Sequence, residues 1–318
     1  MTRRFNWKLA TVALAAFAVL LLCAGGDTEA QGARRGAVRS VTIPVTVRLE
    51  SNAPQGEELR PLNLTLTEDG EPQEILATRS AADRSPLYLT VLVQDDLVPS
   101  VATEIRTLAA FIRRLPEGSQ VMVGYMRSGS IQIRQKFTTD RERAARSLRI
   151  PAGSPSSGPY NPYAAVREAL KRYQSQPLGR RAMLVISDGL DVSRGSDLSS
   201  TLQSLDLKRA TDEAQRRGVA IYSIFAPTFS TENNRVLAGA AHSALSRLSD
   251  ETGGKTFNQI ASAPVSFEPF IRQIEGRLAR QIALTYLSTH AGKGFHRIKI
   301  DTATTDVELS HPAGYTRQ

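Results

Sequence analysis

The chain has 318 residues, 41% of them hydrophobic and 22% charged, with 22 Gly and 16 Pro. That excludes a disordered tail protein, a collagen-like repeat and a small disulfide-stapled module, and it leaves room for one large domain or two. The net charge of +9 comes from 40 basic against 31 acidic side chains with no long Lys/Arg run, so no nucleic-acid partner is expected.

Arg3, Arg4 and Lys8 precede an apolar run from Leu9 to Cys23, and Ala24, Gly25, Gly26 and Thr28-Glu29-Ala30 then supply small residues. This is the order of a secretory signal peptide. The run is about 15 residues, short of the roughly 20 that span a bilayer. A signal over residues 1–30, no transmembrane span after its removal, and a basic linker over 31–39 are therefore expected. Cys23 is the only cysteine, so the mature chain would carry no disulfide. The expected location is secreted or periplasmic; anchoring through an acylated Cys23 is the alternative, although Leu22 before it is bulkier than such sites usually have.

Past the linker, Val41, Ile43, Val45, Val47 and Leu49 alternate as in a half-buried strand. Leu62, Leu64 and Leu66 repeat the pattern, and the turn Glu68-Asp69-Gly70-Glu71 predicts a hairpin that returns through Gln73-Glu74-Ile75-Leu76. From Leu87 onward long apolar strands alternate with helical segments, which implies a mostly parallel sheet with helices on both faces. The strands are expected at 87–94, 120–126, 182–187 and 219–225, with 131–137 pairing back across Ser128-Gly129. Val101, Ile105, Leu108, Phe111 and Ile112 recur at helical spacing before Pro116, and a short helix follows Asp140. Asn161 and Pro162 are a cap and first-turn pair for a further helix. Helices around Leu207 to Ala214, Val236 to Leu248 and Phe267 to Leu278 follow, with a short strand at Phe257. Strand patterns return at 282–286, 295–300 and 307–309. Neither terminal strand group is stable alone, so 40–82 and 281–318 are expected to pair into one small β-subdomain beside an α/β domain at 83–280.

Catalytic chemistry is sparse. His242, His290, His296 and His311 lack short metal-ligand spacing, and no Gly-Lys-Ser/Thr phosphate loop, Gly-x-Ser-x-Gly elbow or Gly-x-Gly-x-x-Gly fingerprint occurs. A metal-dependent hydrolase would need a general base and an activated water, and no spacing supports one. The informative polar residues are carboxylates at strand ends. Asp95 and Asp96 close the first strand of the sheet and Asp188 closes a later one, with Asp191 beyond it. In doubly wound sheets ligands sit beyond the carboxyl ends of the strands. If the two strands are neighbours, these oxygens converge and suit Mg²⁺, Mn²⁺ or Ca²⁺. The other reading of the same residues is that Asp96 caps the next helix and Asp188 fixes the turn at Gly189. The loop Pro151 to Pro159 with Tyr160 beside it reads either as a docking surface anchored by Tyr160 or as a connector on which Tyr160 packs.

The order of elements and these residues resemble the von Willebrand factor type A fold, whose adhesion site combines an Asp-x-Ser-x-Ser loop with a later Thr and a later Asp. Counting from Asp95, the serine positions hold Leu97 and Pro99; counting from Asp96, they hold Val98 and Ser100. Gly158 to Tyr163, where the threonine is expected, contains none, and Ile186-Ser187-Asp188-Gly189 keeps the last element. A narrower resemblance runs over nearly the whole mature chain, to the secreted von Willebrand A-related family widespread in Acidobacteria. It rests on Leu66 to Gln73, Gln94-Asp95-Asp96-Leu97, Gln135 to Asp140, Ile186 to Gly189, Glu251-Thr252-Gly253-Gly254 and Pro312 to Tyr315. The resemblance implies an exported, non-enzymatic protein with no assigned molecular role; the residues themselves are read as a binding module for a protein ligand, with a degenerate site in which Asp95, Asp96, Ser100 and Asp188 hold at most a weak divalent cation. Asp191 and Tyr160 are the expected partner-binding residues. The alternative is a structural envelope or assembly component that binds partners without metal.

Overall fold

The computed structural model describes residues 39–49, 63–153, 160–193, 201, 203–258, 266–304 and 307–317. The expected signal peptide, Cys23 and residues 154–159 of the loop before Tyr160 lie outside them. Among the described residues no helix is long and apolar enough to cross a membrane.

The chain opens with β1 (Arg39–Leu49), β2 (Leu64–Glu68), the two-residue β3 (Glu71–Pro72) and β4 (Glu74–Arg79). The α/β region then runs through β5 (Leu87–Gln94), α1 (Glu104–Arg114), β6 (Gln120–Arg127), β7 (Ser130–Thr138), α2 (Arg141–Arg146) and α3 (Pro162–Leu170). It continues with β8 (Arg180–Ser187), α4 (Leu205–Arg217), β9 (Ala220–Phe225), α5 (Phe229–Glu232), α6 (Arg235–Asp250), β10 (Lys255–Phe257) and α7 (Glu268–Ala279). Strands β11 (Gln281–Ser288), β12 (Gly294–Thr302), β13 (Val307–Ser310) and β14 (Gly314–Arg317) close the chain.

The central sheet has the order β10-β9-β8-β5-β6-β7. All its pairs are parallel except β6 with β7. Every residue of β5 and of β8 is buried, because helices cover both faces. Leu87, Leu89, Val91 and Val93 point to the face carrying Leu108 and Phe111 of α1, Ala144 of α2 and Ile271 of α7. Tyr88 and Leu92 point to the other, with Val166 of α3, Ala210 of α4 and Leu245 of α6. Each such aliphatic side chain contributes about 1.5–3 kcal/mol by leaving water. Helices α3, α4 and α6 begin where a side chain can take the orphan backbone donors: Asn161 Oδ1 accepts from the Ala164 N–H at 3.0 Å, Ser204 Oγ from Leu207 at 3.2 Å, and Asn234 Oδ1 from Leu237 at 3.1 Å. This is the mixed α/β fold with a mostly parallel, doubly wound sheet that the alternating pattern predicts.

The terminal strands pair with each other across the length of the chain. One four-stranded sheet is ordered β13-β1-β11-β4, the other β14-β12-β2-β3. Both contribute to one apolar cluster, in which Val41, Ile43, Val45 and Leu66 meet Ile282, Leu284, Ile298 and Ile300. The hairpin expected from Leu64 to Leu76 forms only in part. β3 returns along β2 for two residues, after which the Gln73 N–H bonds the Leu66 carbonyl at 2.9 Å and β4 crosses to pair with β11 in the other sheet. Pro72 has no N–H to extend the ladder.

Arg180 joins this β region to the central sheet. It is 2% exposed, and its guanidinium donates to the carbonyls of Gln281 (3.0 Å), Ser85 (3.2 Å) and Leu278. Burial lowers its pKa to about 10, so it still carries its proton at neutral pH, with carbonyls as the acceptors this charge needs.

Candidate functional site at the sheet switch point

β5 and β8 are adjacent and parallel, with Val93 opposite Ile186. The helices that follow them pack on opposite faces of the sheet, so the crevice beyond Gln94 and Ser187 is the topological switch point where such folds take ligands.

Asp188 lies at the bottom of this crevice, 2% exposed. Its Oδ1 accepts the Leu190 N–H at 3.1 Å and its Oδ2 accepts the Thr228 hydroxyl at 2.7 Å. The first bond is an Asx turn, so the turn-forming reading of Asp188 holds. Gly189, in the turn, has φ +74, and a Cβ there would stand 2.5 Å from Leu245 Cγ and 2.7 Å from the Ala241 carbonyl. Only glycine fits. Burial raises the Asp188 pKa to about 6; the bonds from Leu190 and Thr228 oppose this, and the charge of Asp96 adds to it. Asp96 is half-buried and belongs to the same electrostatic site. It does not cap a helix: the turn before α1 (Pro99–Thr103) starts from Val98, and α1 from Thr103.

Asp95 faces elsewhere. Its side chain is 2% exposed, and Arg149 grips it with two bonds, Nη1 to Oδ1 at 2.6 Å and Nη2 to Oδ2 at 2.9 Å. Arg127 Nη1 stands 3.4 Å from Oδ2, and the Ala152 N–H donates to Oδ1 at 3.0 Å. Burial alone would raise the Asp95 pKa. The bonds from Arg149 and Ala152, together with the two guanidinium charges, outweigh it and hold the carboxyl below its ordinary range. The Arg149 guanidinium in turn lies 4.2 Å from the centre of the Tyr125 ring, a cation–π contact. Asp95 therefore orders the segment after α2, and its oxygens are engaged.

The residue at the end of β5 that faces Asp188 is Gln94, which the sequence reading passed over. Its Oε1 accepts the Ser187 hydroxyl at 2.6 Å and the Asp188 N–H at 3.0 Å, stitching the ends of β5 and β8 together. The available signal was a glutamine closing an otherwise apolar buried strand. Ser100 sits in the exposed turn Pro99–Thr103, its carbonyl accepting the Thr103 hydroxyl at 3.2 Å. Among the described residues, no three His, Cys, Asp or Glu side chains are grouped closely enough to hold a metal ion.

The two residues expected on a docking surface, Tyr160 and Asp191, are instead buried, each 5% exposed. Asp191 orders its own loop: Oδ1 accepts from the Ser193 N–H (3.0 Å) and hydroxyl (2.6 Å), and Oδ2 from the Ser204 hydroxyl (2.6 Å). The Tyr160 carbonyl accepts the Val192 N–H at 3.0 Å. Burial, then the charges of Asp188 and Asp96, push the Tyr160 hydroxyl well above the ordinary phenol range, so it stays protonated. Its neighbour Tyr163 donates to the Gly189 carbonyl at 2.7 Å. These tyrosines wall the crevice from the inside. Ile150 and Phe229, which follow Arg149 and Thr228 in the chain, are exposed apolar side chains, at 62% and 50%.

No family model matches the chain, and no curated protein matches it. Similar solved structures include a von Willebrand factor type A protein from Catenulispora acidiphila, at 10% identity over 88% of this chain and 75% of that one, with a TM-score of 0.43. An aerotolerance-related membrane protein from Bacteroides fragilis is 11% identical over 60% of this chain and 98% of its own, at a TM-score of 0.43. The BatB protein of Bacteroides thetaiotaomicron is 11% identical over 61% of this chain and 97% of its own, at 0.38. At such identities and TM-scores the likeness carries nothing about activity or partner.

Proposed function

We propose that this chain is a von Willebrand A-like interaction module, exported from the cell, that docks a protein partner on the switch-point face without a cation. The observation that carries this reading is Gln94. Gln94 ends β5, neutral, with its Oε1 spent on Ser187 and Asp188. The carboxylate next to it, Asp95, is neutralised by Arg149. A hard cation needs several free oxygens and favours anionic ones, whereas Gln94 Oε1 and the carboxylate oxygens of Asp95 and Asp188 are taken up by internal hydrogen bonds. The exposed apolar residues Ile150 and Phe229, next in the chain to Arg149 and Thr228, are then the anchors for a partner.

A photo-crosslinking side chain placed at Ile150 or at Phe229, in the cells that produce the protein, tests this. Adducts are expected from both positions, in yields unchanged by EDTA, and not from Leu76 on β4. Adducts that vanish with EDTA would restore a metal-dependent mode, and adducts from Leu76 alone would move the docking surface to the β region.

A further inference from the structure

Glu68, the last residue of β2, is 0% exposed. Its Oε1 accepts the Tyr315 hydroxyl at 2.9 Å, whereas Oε2 accepts no hydrogen bond among the described residues. Two imidazoles flank it: His296 Nδ1 lies 3.6 Å from Oε1 and His290 Nδ1 lies 3.7 Å from Oε2. Asp69, next in the chain, places Oδ2 2.8 Å from His296 Nδ1 and accepts the Arg297 N–H on Oδ1 at 2.7 Å. The other ring nitrogen of His296 lies 2.9 Å from the Gly292 carbonyl. A carbonyl and an ionised carboxylate only accept, so both contacts are hydrogen bonds at once only in the imidazolium, with hydrogen on each ring nitrogen. His290 Nε2 faces Glu71 Oε2 at 3.7 Å, and the two histidine rings are 5.8 Å apart.

The charges divide by chain segment. All three carboxylates, Glu68, Asp69 and Glu71, belong to the hairpin of β2 and β3; both imidazoles belong to the segment from His290 through β12. Other polar groups near the cluster include Tyr286 and Ser288 of β11, Tyr315 of β14, Gln73, Thr289, and Arg317, whose guanidinium donates to the His290 carbonyl. Among the described residues, the ion-pair contacts of Glu68 are those with His290 and His296. The carboxyl groups sit on the hairpin and the imidazoles on the facing segment, so a positive charge on an imidazole draws the hairpin toward the C-terminal strands.

We propose that these five side chains form a proton-operated latch, which holds the β2–β3 hairpin on β12 and β14 while the imidazoles are charged and releases it when they are neutral. The hairpin lies at a sheet edge: among the described residues β2 pairs with β12 over five residues and with the exposed β3 over two, and Leu66 is its fully buried apolar side chain. Such segments open locally well below the global unfolding energy. Burial, which by itself lowers the His296 pKa, is outweighed by its bonds to Gly292 and Asp69 and by the charges of Asp69 and Glu68, so the value is raised. A raised histidine contributes stability that is complete below its unfolded value near 6.5 and is lost as pH rises through the folded value.

Amide hydrogen exchange of the intact chain, corrected for intrinsic rates, reads this directly. Between about pH 5.5 and 8.5, protection of residues 64–72 is expected to fall about tenfold or more relative to residues 87–94 and 180–187 of the central sheet. In the double variant His290→Gln/His296→Gln that relative protection becomes low and independent of pH. Should the double variant fail to fold, Asp69→Asn takes its place, with a shallower pH dependence expected. The ring signals of His296 in the unaltered chain titrate above 6.5 on this reading. Hairpin protection that follows the central sheet at every pH, a pH-dependent fall that persists in the double variant, or a His296 titration below 6.5 would overturn the latch.

Discussion

Asp188 lies in the crevice with 2% of its surface exposed. A carboxylate at its position has given up water for two hydrogen bonds, from Leu190 and Thr228, while facing the like charge of Asp96. Its pKa in the folded chain, about 6, lies above the 3.8 of an unperturbed aspartate. Its favourable contribution is therefore complete below about 3.8 and is lost as pH rises through about 6, beyond which the fold carries a buried charge. Asp188→Asn keeps an acceptor for the Leu190 N–H and removes the charge. The variant is expected to be more stable than the parent at pH 8 by about 1–3 kcal/mol, with the two curves converging near pH 4 in urea titrations. A loss of stability at pH 8 would contradict this account. At this scale the sequence showed the turn at Asp188-Gly189 because Asp and Gly declare themselves through backbone chemistry. It did not show Gln94 or the pairing of Asp95 with Arg149, 54 residues apart, because no local spacing encodes a partner brought in by the fold.

Among the elements, α4 and β1 show how a local stop signal acquires a tertiary role. Gly218 ends α4 with φ +60, the left-handed conformation that glycine adopts without strain. A Cβ there would stand 2.5 Å from the Thr42 carbonyl of β1, so the helix end is pressed against the β region. Gly218→Ala is expected to destabilise the protein by about 2 kcal/mol or more, the left-handed penalty and the backbone clash acting together. Thermal denaturation measures it, and a change near zero would mean that β1 can move aside. The stop at Gly218 is legible from sequence; the approach of Thr42 is not. The same division holds for β3 and β4. The Asp69-Gly70 turn announces a hairpin, but the crossing of β4 to β11 follows from Pro72 and from the bond between Gln73 and Leu66.

Across the whole molecule, the terminal segments depend on each other. β1 has β11 and β13 as its neighbours, and β2 has β12 and the minor β3. A chain ended at Arg280 leaves β1 without either neighbour and exposes Val41, Ile43, Val45 and Leu66, buried in the intact fold. Isolated strands of this kind are not stable in water. The truncated chain is expected to precipitate or to bind a hydrophobic dye in its native buffer, and a soluble, cooperatively melting product would show that the α/β core stands alone.

Periodicity in the sequence determined the strands, the helices and the burial of both sheet faces, since hydrophobic spacing directly reports which side of an element meets water. It also determined that the termini need partners, because two alternating strand groups each lack a second layer. Tertiary structure alone decided which carboxylate faces which cation. Asp95 turns to Arg149 and leaves the crevice; Tyr160 and Asp191 turn inward; Glu68 meets His290 and His296 from the far end of the chain. Charge pairing acts through space over a few ångströms and carries no signature along the chain, so it becomes visible only once hydrophobic burial has fixed the distances.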